Sequence, residues 1–249
     1  DDKGDMFFSR NLDWSVGYGE KIVVTPHNYT YKSAFLGEIK PKHALIGMGI
    51  VEENVPLYFD CGNEAGLAIA GLNFPGYAAY EKDAVEGKTN VAAYEFPLYI
   101  AMNFETVDEV EKALENIAIV AKTINDKYPV SMLHWIIGDK NRSIVVEYTS
   151  DGLQVFQNDV DVLTNQPGYG WHKENLRNYM NLFSAEPTKI NWGKAEMTAF
   201  GSGSLMRGLP GDYYSPSRFI RVAYLNTHYP TKSTEEENVS RLFHTLTGV

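Results

Sequence analysis

The chain has 249 residues, of which 44% are hydrophobic and 22% are charged, and this composition excludes intrinsic disorder and suffices for one sizeable core. Its 22 basic and 32 acidic residues leave a net charge of −10, which argues against nucleic-acid binding because that function needs a basic surface. No apolar run approaches the roughly 18 residues of a membrane span, and the first residues lack the basic and apolar regions of a secretory signal.

Strands are predicted throughout the first part of the chain. Short β-rich runs separated by turn residues lie at 5–12, 21–29, 43–51, 55–61 and 66–74. The last two are joined by NEAG (63–66), which has the length of a hairpin turn. A helix is predicted from Thr106 to Val120, because Thr106 and Glu109 form a capping box ahead of an apolar stripe.

A second group of strands and three helices follow. The strands are predicted at 132–139, 143–150, 152–158 and 161–164, and the helices at 171–183, 215–229 and 233–246. Ser215 with Pro216, and Thr234 with Glu237, are typical of helix starts. Antiparallel hairpins in two groups, with helices between and after them, favour a layered α+β domain over a parallel βαβ fold.

Conventional metal and hydrolase motifs do not occur in this sequence. The six histidines have no H-E-x-x-H or other metal spacing, and there is no G-x-S-x-G elbow. The glycine-rich stretch 201–212 lacks the G-K-[ST] of a P-loop and is predicted to be a shaped turn. His134 lies in an apolar strand, which favours a hydrogen-bonded core imidazole. We therefore expect neither a metal nor a cofactor.

Cys61 is the only cysteine, so no intrachain disulfide can form, which is typical of a reducing compartment. A lone cysteine can be a nucleophile, but Cys61 ends an apolar strand and has no basic neighbour to lower the pKa of its thiol. Free cysteine is among the residue types most often buried. We interpret Cys61 as a packing residue.

A set of polar residues at predicted element ends remains: Arg10, Asp13, Asn73, Asn165 and Arg218. Each has an ordinary structural interpretation. The first two could form a simple ion pair, each asparagine lies two residues before a proline as turn residues do, and Arg218 could be a solvated helix residue. Composition and spacing leave the structural and the functional interpretations open.

At these residues the sequence resembles the choloylglycine hydrolase family, which comprises bile salt hydrolases and penicillin V acylases, and most closely the bile salt hydrolases of gut bacteria. The motifs that carry the resemblance occur in family order: SRNLDW, VTPHNY, PLYFDCGNEAGLAIAGLNFPGY, LHWIIGDKNRSIVVE, DVLTNQP, ENLRNY, GLPGDYYSPSRFIRVAY and SRLFHTL. The resemblance implies the four-layer αββα sandwich of the N-terminal-nucleophile hydrolases. It also implies that residues 1–249 form a single domain that lacks the nucleophile segment and a C-terminal part.

The resemblance further implies a mechanism. A cysteine a few positions upstream of Asp1 would attack the amide carbonyl, with its own α-amino group as the base. Asp13 would orient that amino group, and Arg10 and Arg218 would favour the thiolate. The side-chain amide of Asn165 and the backbone N–H of Asn73 would form the oxyanion hole.

The implied substrate is a glycine- or taurine-conjugated bile salt, bound in an apolar pocket. The positions that match this pocket are Leu12, Tyr18, Phe59, Ile124, Tyr128 and Leu133. The expected protein is a cytoplasmic bacterial enzyme, a homotetramer, with no nucleic-acid or membrane partner.

Two alternatives stay open. One is penicillin V acylase, although Asn73 favours bile salts because related penicillin acylases often carry tyrosine there. The other is a non-catalytic bile-acid-binding homologue without the nucleophile.

The sequence also departs from the family pattern at Ser9, where a glycine is usual, and at Gly168-Tyr169-Gly170, which we expect to reshape a loop.

Overall fold

A computed structural model describes residues 3–185, 189–230 and 232–249. The strands in chain order are β1 (Lys21–Thr25), β2 (Tyr31–Ser33), β3 (Gly37–Ile39), β4 (Leu45–Glu52), β5 (Val55–Asn63), β6 (Ala68–Asn73), β7 (Thr89–Ala92), β8 (Ile117–Val120), β9 (Leu133–Gly138), β10 (Ser143–Thr149), β11 (Gly152–Gln157), β12 (Ile190–Trp192) and β13 (Ala195–Met197). The α-helices are α1 (Phe96–Asn103), α2 (Val107–Leu114), α3 (Tyr169–Asn175), α4 (Ser215–His228) and α5 (Glu235–Thr247), and short 3₁₀ helices lie at Ala93–Glu95, Leu176–Tyr179 and Ser204–Met206.

One seven-stranded antiparallel sheet organises the chain, in the order β1-β4-β5-β6-β9-β10-β11. The pairing of β6 with β9, from Ala68 opposite Gly138 to Asn73 opposite Leu133, joins the two groups of hairpins side by side. The α+β class predicted from the sequence is therefore confirmed.

The sheet is covered on both faces near its centre. Successive side chains of a strand point to opposite faces. In β10, Ile144 and Val146 belong to the large core that also contains Phe96 of α1, whereas Val145 between them packs with Phe219 of α4. Helices α1 and α4 consequently lie on opposite sides of the sheet, and β10 is buried on both faces.

Two predicted helices have different bounds in the structure. The N-cap of α2 forms as expected, since Thr106 Oγ1 accepts the N–H of Glu109 at 3.2 Å, and the Glu109 carboxylate accepts the N–H of Glu105 at 2.8 Å. The helix, however, ends at Leu114. The residues Ile117–Val120, predicted to continue it, form β8 and pair in parallel with β7. All four residues are buried, and a short apolar run of this kind is compatible with a buried strand as well as with a helix. The helix predicted at 171–183 begins earlier and ends at Asn175, where a 3₁₀ turn replaces it.

The predicted strands at 5–12 and 161–164 are wrong, since both segments are irregular and line a cleft. Conversely, α1 was not predicted. Its sequence FPLYIAMN is apolar on nearly every side and six of its eight residues are buried, so it has no amphipathic period to reveal it. Among the described helices, none combines the length and the hydropathy that a membrane span requires.

Candidate active site

A cleft of about 1530 Å³ opens beside the sheet, between the irregular N-terminal segment and the start of α4. The residues that the sequence analysis assigned to a site all line it: Arg10, Asp13, Asn73, Asn165 and Arg218 among the polar ones, and Leu12, Tyr18, Phe59, Ile124, Tyr128 and Leu133 among the apolar ones. Chain segments separated by up to about two hundred residues thus meet at one place.

Asn73 ends β6 with its backbone polar groups turned away from β9. The next residue, Phe74, donates its N–H to Met132 O at 2.7 Å. Because antiparallel pairs alternate between hydrogen-bonded and non-bonded, Asn73 opposite Leu133 is a non-bonded pair, and the Leu133 N–H goes instead to the Tyr80 hydroxyl at 2.7 Å. The N–H and C=O of Asn73 consequently point to the other edge of β6, where the pairing with β5 has already ended.

The Asn165 side chain reaches across to Asn73 and has only one possible orientation. Its Nδ2 donates to Asn73 O at 2.9 Å, and its Oδ1 accepts from Nη2 of Arg218 at 2.7 Å. A guanidinium can only donate, so the amide oxygen must face Arg218 and the amide nitrogen must face Asn73. The backbone N–H of Asn73 and the Nδ2 group of Asn165 are therefore neighbouring donors, which is the arrangement of an oxyanion hole.

Arg218 lies in the first turn of α4 and is held at two points. Its Nε donates to Tyr213 O at 2.9 Å while Nη2 holds Asn165. Burial lowers the pKa of the Arg218 guanidinium, and Arg221 acts in the same direction, whereas the Asp13 carboxylate raises it. An arginine stays charged under these conditions, so Arg218 supplies a fixed positive charge to the cleft.

Arg10 supplies a second positive charge. Its Nη1 donates to Phe59 O at 3.2 Å and lies 3.8 Å from a carboxylate oxygen of Asp60. Burial lowers the pKa of Arg10, and Asp60 and Asp13 oppose that effect. Asp13 acts on the guanidinium groups of both Arg10 and Arg218, so the carboxylate and the two arginines form one local group of charges.

The apolar side of the cleft is open at its mouth. The Tyr18 ring lies 5.8 Å from the Phe59 ring, centroid to centroid. Leu12 and Tyr18 are 43% and 45% exposed, and Trp14, which the sequence analysis did not single out, is 56% exposed. Large apolar side chains exposed together in a cleft are typical of a site for an apolar ligand.

Asp60 is a further residue that sequence reasoning missed. A register shift between Met48 and Gly49 in the β4–β5 pairing lets Asp60 accept the Met48 N–H at 3.3 Å beside Arg10. Burial raises the pKa of Asp60, while Arg10 and the Met48 N–H lower it. A charged residue inside the apolar run VPLYFDC was the signal that could have found it.

Cys61 is a buried packing residue, and His134 is a hydrogen-bonded imidazole in the core. Burial raises the pKa of the Cys61 thiol well above its usual range, and its Sγ faces Pro97 O at 3.8 Å. The predicted core imidazole at His134 is confirmed, with Nδ1 3.0 Å from Glu147 Oε1 and Nε2 2.8 Å from Thr164 O. Within the described residues, no group of three or more histidine, cysteine or acidic side chains is arranged to hold a metal ion.

Comparison with known sequences points to relatives over the whole chain. Residues 1–249 match the family described as linear amide C–N hydrolases, choloylglycine hydrolase family. A bile salt hydrolase/transferase of Bifidobacterium longum subsp. longum is 57% identical over 100% of this chain and 78% of its own length. A conjugated bile acid hydrolase of Lactobacillus gasseri is 44% identical over 100% of this chain and 79% of its own length.

Solved structures agree with the sequence relatives. A variant of the conjugated bile acid hydrolase from Clostridium perfringens superposes with a TM-score of 0.88 at 39% identity, covering 96% of this chain and 74% of that one. Penicillin V acylase from Agrobacterium tumefaciens, at 20% identity and a TM-score of 0.73, shares the fold over 96% of this chain and 67% of its own. The predicted N-terminal-nucleophile hydrolase fold is therefore confirmed, and the chain belongs to the choloylglycine hydrolase family of linear amide C–N hydrolases.

Proposed function

We propose that this protein hydrolyses the amide bond of glycine- or taurine-conjugated bile salts, with a cysteine upstream of Asp1 as its nucleophile. One observation carries the proposal: two arginines, a carboxylate and a pair of oxyanion-type donors line one cleft together with a set of apolar side chains. The relatives from Bifidobacterium and Lactobacillus, which are named as bile salt and bile acid hydrolases, support this substrate class.

The charged group suits a thiolate and a terminal amine. Two fixed guanidinium charges, on Arg10 and Arg218, favour the thiolate over the thiol. The α-amino group of the same cysteine has an ordinary pKa of about 8, so it can accept the thiol proton near neutral pH without a histidine. Asp13, whose charge acts on both arginines, is the group that would hold this amine in position.

The donors at Asn73 and Asn165 face the oxygen on which charge develops. When the sulfur attacks the amide carbon, the carbonyl oxygen becomes an oxyanion and accepts from the Asn73 N–H and Asn165 Nδ2. Collapse of this intermediate expels glycine or taurine and leaves the steroid acyl group on sulfur. Water then releases the bile acid, and an amine in its place would give transfer of the acyl group.

The steroid itself is bound by area burial, since apolar contact provides most of its binding energy. We assign this role to the apolar lining of the cleft: Leu12, Tyr18, Phe59, Ile124, Tyr128 and Leu133. Their position next to the donors would place the scissile amide, which lies outside the ring system, against Asn73 and Asn165.

We further infer that residues 1–249 belong to one catalytic domain and that the protein is a cytoplasmic bacterial homotetramer. The continuous seven-stranded sheet supports a single domain. The β12–β13 hairpin supports assembly, because it pairs with no other sheet in the described chain and exposes Ile190 and Trp192. Exposed apolar residues grouped in this way are typical of a protein–protein contact.

The test is hydrolysis of glycocholate, taurocholate and penicillin V by the full-length enzyme, its D13N variant and the control D151N. Asp151 is an exposed carboxylate in the turn between β10 and β11 and does not line the cleft. We expect both bile salts to be cleaved faster than penicillin V. The kcat of D13N should fall by about 100-fold, because the amine loses its orienting carboxylate, and D151N should match the wild type.

Three outcomes would contradict the proposal. Faster cleavage of penicillin V would make the protein a penicillin acylase. Binding of glycocholate without turnover would make it a non-catalytic bile-acid-binding protein. Equal activity of D13N and D151N would remove Asp13 from the mechanism.

A further inference from the structure

We propose that two buried histidines, His134 and His172, are positioning residues that hold the Asn165 amide in the oxyanion hole. The inference rests on the proposed function and deepens it, since that function assigns no role to a histidine.

The two imidazoles form hydrogen bonds with successive backbone carbonyl groups of the loop that carries Asn165. His134 Nε2 lies 2.8 Å from Thr164 O, and His172 Nε2 lies 3.0 Å from Asn165 O. Residues 161–168 form neither helix nor strand, so no regular backbone pairing holds this loop. Both histidine side chains are fully buried. Their hydrogen bonds hold the backbone at Thr164 and Asn165, where strand pairing is absent.

His134 anchors the loop to the sheet. Its ring stacks on Phe74 with centroids 4.1 Å apart, and its Nδ1 lies 3.0 Å from Glu147 Oε1 on β10. The same carboxylate oxygen accepts the Tyr169 N–H at 2.8 Å, at the other end of the loop. Glu147 is nearly inaccessible to solvent, so one carboxylate holds both the ring beneath Thr164 and the start of α3.

The glycine at position 168 fits this arrangement. An added Cβ at Gly168 would lie 3.0 Å from Glu147 Oε2, which is tighter than an ordinary contact. The segment Gly168-Tyr169-Gly170, where the sequence differs from the family pattern, therefore lies close against the Glu147 carboxylate.

His172 anchors the loop to α4. Its ring stacks on Phe219 with centroids 4.5 Å apart and planes 16° from parallel. Phe219 follows Arg218, the residue whose guanidinium holds Asn165 Oδ1. One turn of α4 thus fixes the Asn165 side chain directly and its backbone through His172.

The protonation of His172 is consistent with this role. Burial lowers its pKa, His134 and Arg218 act in the same direction, and only the Asn165 carbonyl and Glu147 oppose them. Its Nδ1 is buried without a hydrogen-bond partner in the described structure. The ring is therefore neutral and carries its proton on Nε2, where it donates to Asn165 O.

The test is a double-mutant cycle in the full-length enzyme with H172F, N165A and the two combined. Phenylalanine keeps the ring against Phe219 but removes the donor. We expect kcat of H172F to fall by about 10- to 100-fold with KM changed by less than about twofold, because a displaced oxyanion donor affects the transition state. H172Q, which places an amide N–H near the position of Nε2, should recover most of the activity.

The cycle separates positioning from general stability. If His172 acts through Asn165, the combined variant should be no slower than N165A alone, because coupled residues are non-additive. H244Q is the matched control, since His244 is an exposed residue on α5 whose imidazole Nδ1 lies 2.7 Å from Ser240 O of the same helix. Thermal melts check that each variant is folded, and H172L takes the place of H172F should that variant not fold.

Additive losses in the combined variant, or an H172F enzyme as fast as H244Q, would overturn the inference. Failure of the proposed function gives a different result, namely a wild type that does not cleave glycocholate or taurocholate. In that event the same cycle, run with penicillin V, still tests whether His172 positions Asn165.

Discussion

At the scale of single residues, the site depends on which way one side-chain amide faces. Asn165 could not serve as an oxyanion donor if its oxygen pointed to Asn73, and two contacts forbid this: the Arg218 guanidinium can only donate and the Asn73 carbonyl can only accept. In the proposed mechanism, Arg218 therefore has two roles. It would favour the thiolate by its charge, and it helps to set the orientation of the neighbouring Asn165 donor.

The R218M variant should lose both effects. We expect kcat to fall by roughly 100-fold or more, as when one oxyanion donor is lost. The acid limb of the pH–rate profile should move to higher pH, because removing a positive charge raises the pKa of the nucleophilic thiol. R177M is the control, since Arg177 is exposed and, among the described residues, its ion pair is with Glu174. Equal pH profiles for R218M and R177M would contradict the charge effect.

At the scale of elements, residues of the site lie where the pairing of two strands ends or where its register shifts. The backbone N–H of Asn73 is not used in the sheet, because β6 continues beyond the last residue that pairs with β5. Asp60 reaches Arg10 beside the register shift between β4 and β5. The close approach of the two strands next to this shift needs glycine at position 47, because an added Cβ would lie 2.0 Å from Asp60 O and 2.6 Å from Cys61 Cα.

The G47A variant should therefore be destabilised. We expect the free energy of unfolding to fall by about 3 kcal/mol, at the upper end of the cost of overpacking, because both clashing atoms belong to backbone that cannot move alone. Urea unfolding of the full-length protein measures this. In G17A, the added Cβ meets nothing closer than Glu20 Oε2 at 3.9 Å, so it is the matched control. Equal midpoints for the two variants would show that β4 and β5 can separate without cost.

At the scale of the whole molecule, the two ends of the described chain close the site together. Asn11, next to Arg10, donates through Nδ2 to Leu246 O at 2.9 Å and to Val249 O at 3.0 Å. Leu246 lies in the last turn of α5, where its carbonyl also accepts the Val249 N–H at 3.2 Å, and Val249 follows the end of the helix. The segment that carries Arg10 and Asp13 is thereby tied to residues more than two hundred positions away.

The assembly proposal is also tested at this scale. W192S should shift the full-length protein from four protomers towards smaller species in light scattering after size exclusion, because Trp192 is 76% exposed and apolar. N191S, a polar substitution in the same hairpin, should leave the mass unchanged. A W192S protein that stays tetrameric would exclude the hairpin as the main contact.

The sequence by itself determined the family and many of the strands and helix starts. β-rich runs such as VPLYFDC and SIVVEYTS, and the capping signals at Thr106 and Thr234, depend on local sequence, and their strands and helix starts were predicted correctly. The ordered motifs identified the family and, through it, the residues that the structure brings to one cleft.

Only the tertiary structure decided what holds those residues in place. Asp60 beside Arg10, His172 beneath Asn165 and Asn11 at the end of α5 are contacts between segments far apart in the chain. The strand at Ile117–Val120 depends likewise on a partner at Thr89–Ala92. Periodicity reports whether a residue is buried, and it carries no information on which distant backbone group will satisfy a buried polar atom. Tertiary packing determines which backbone group lies within hydrogen-bond distance of that atom.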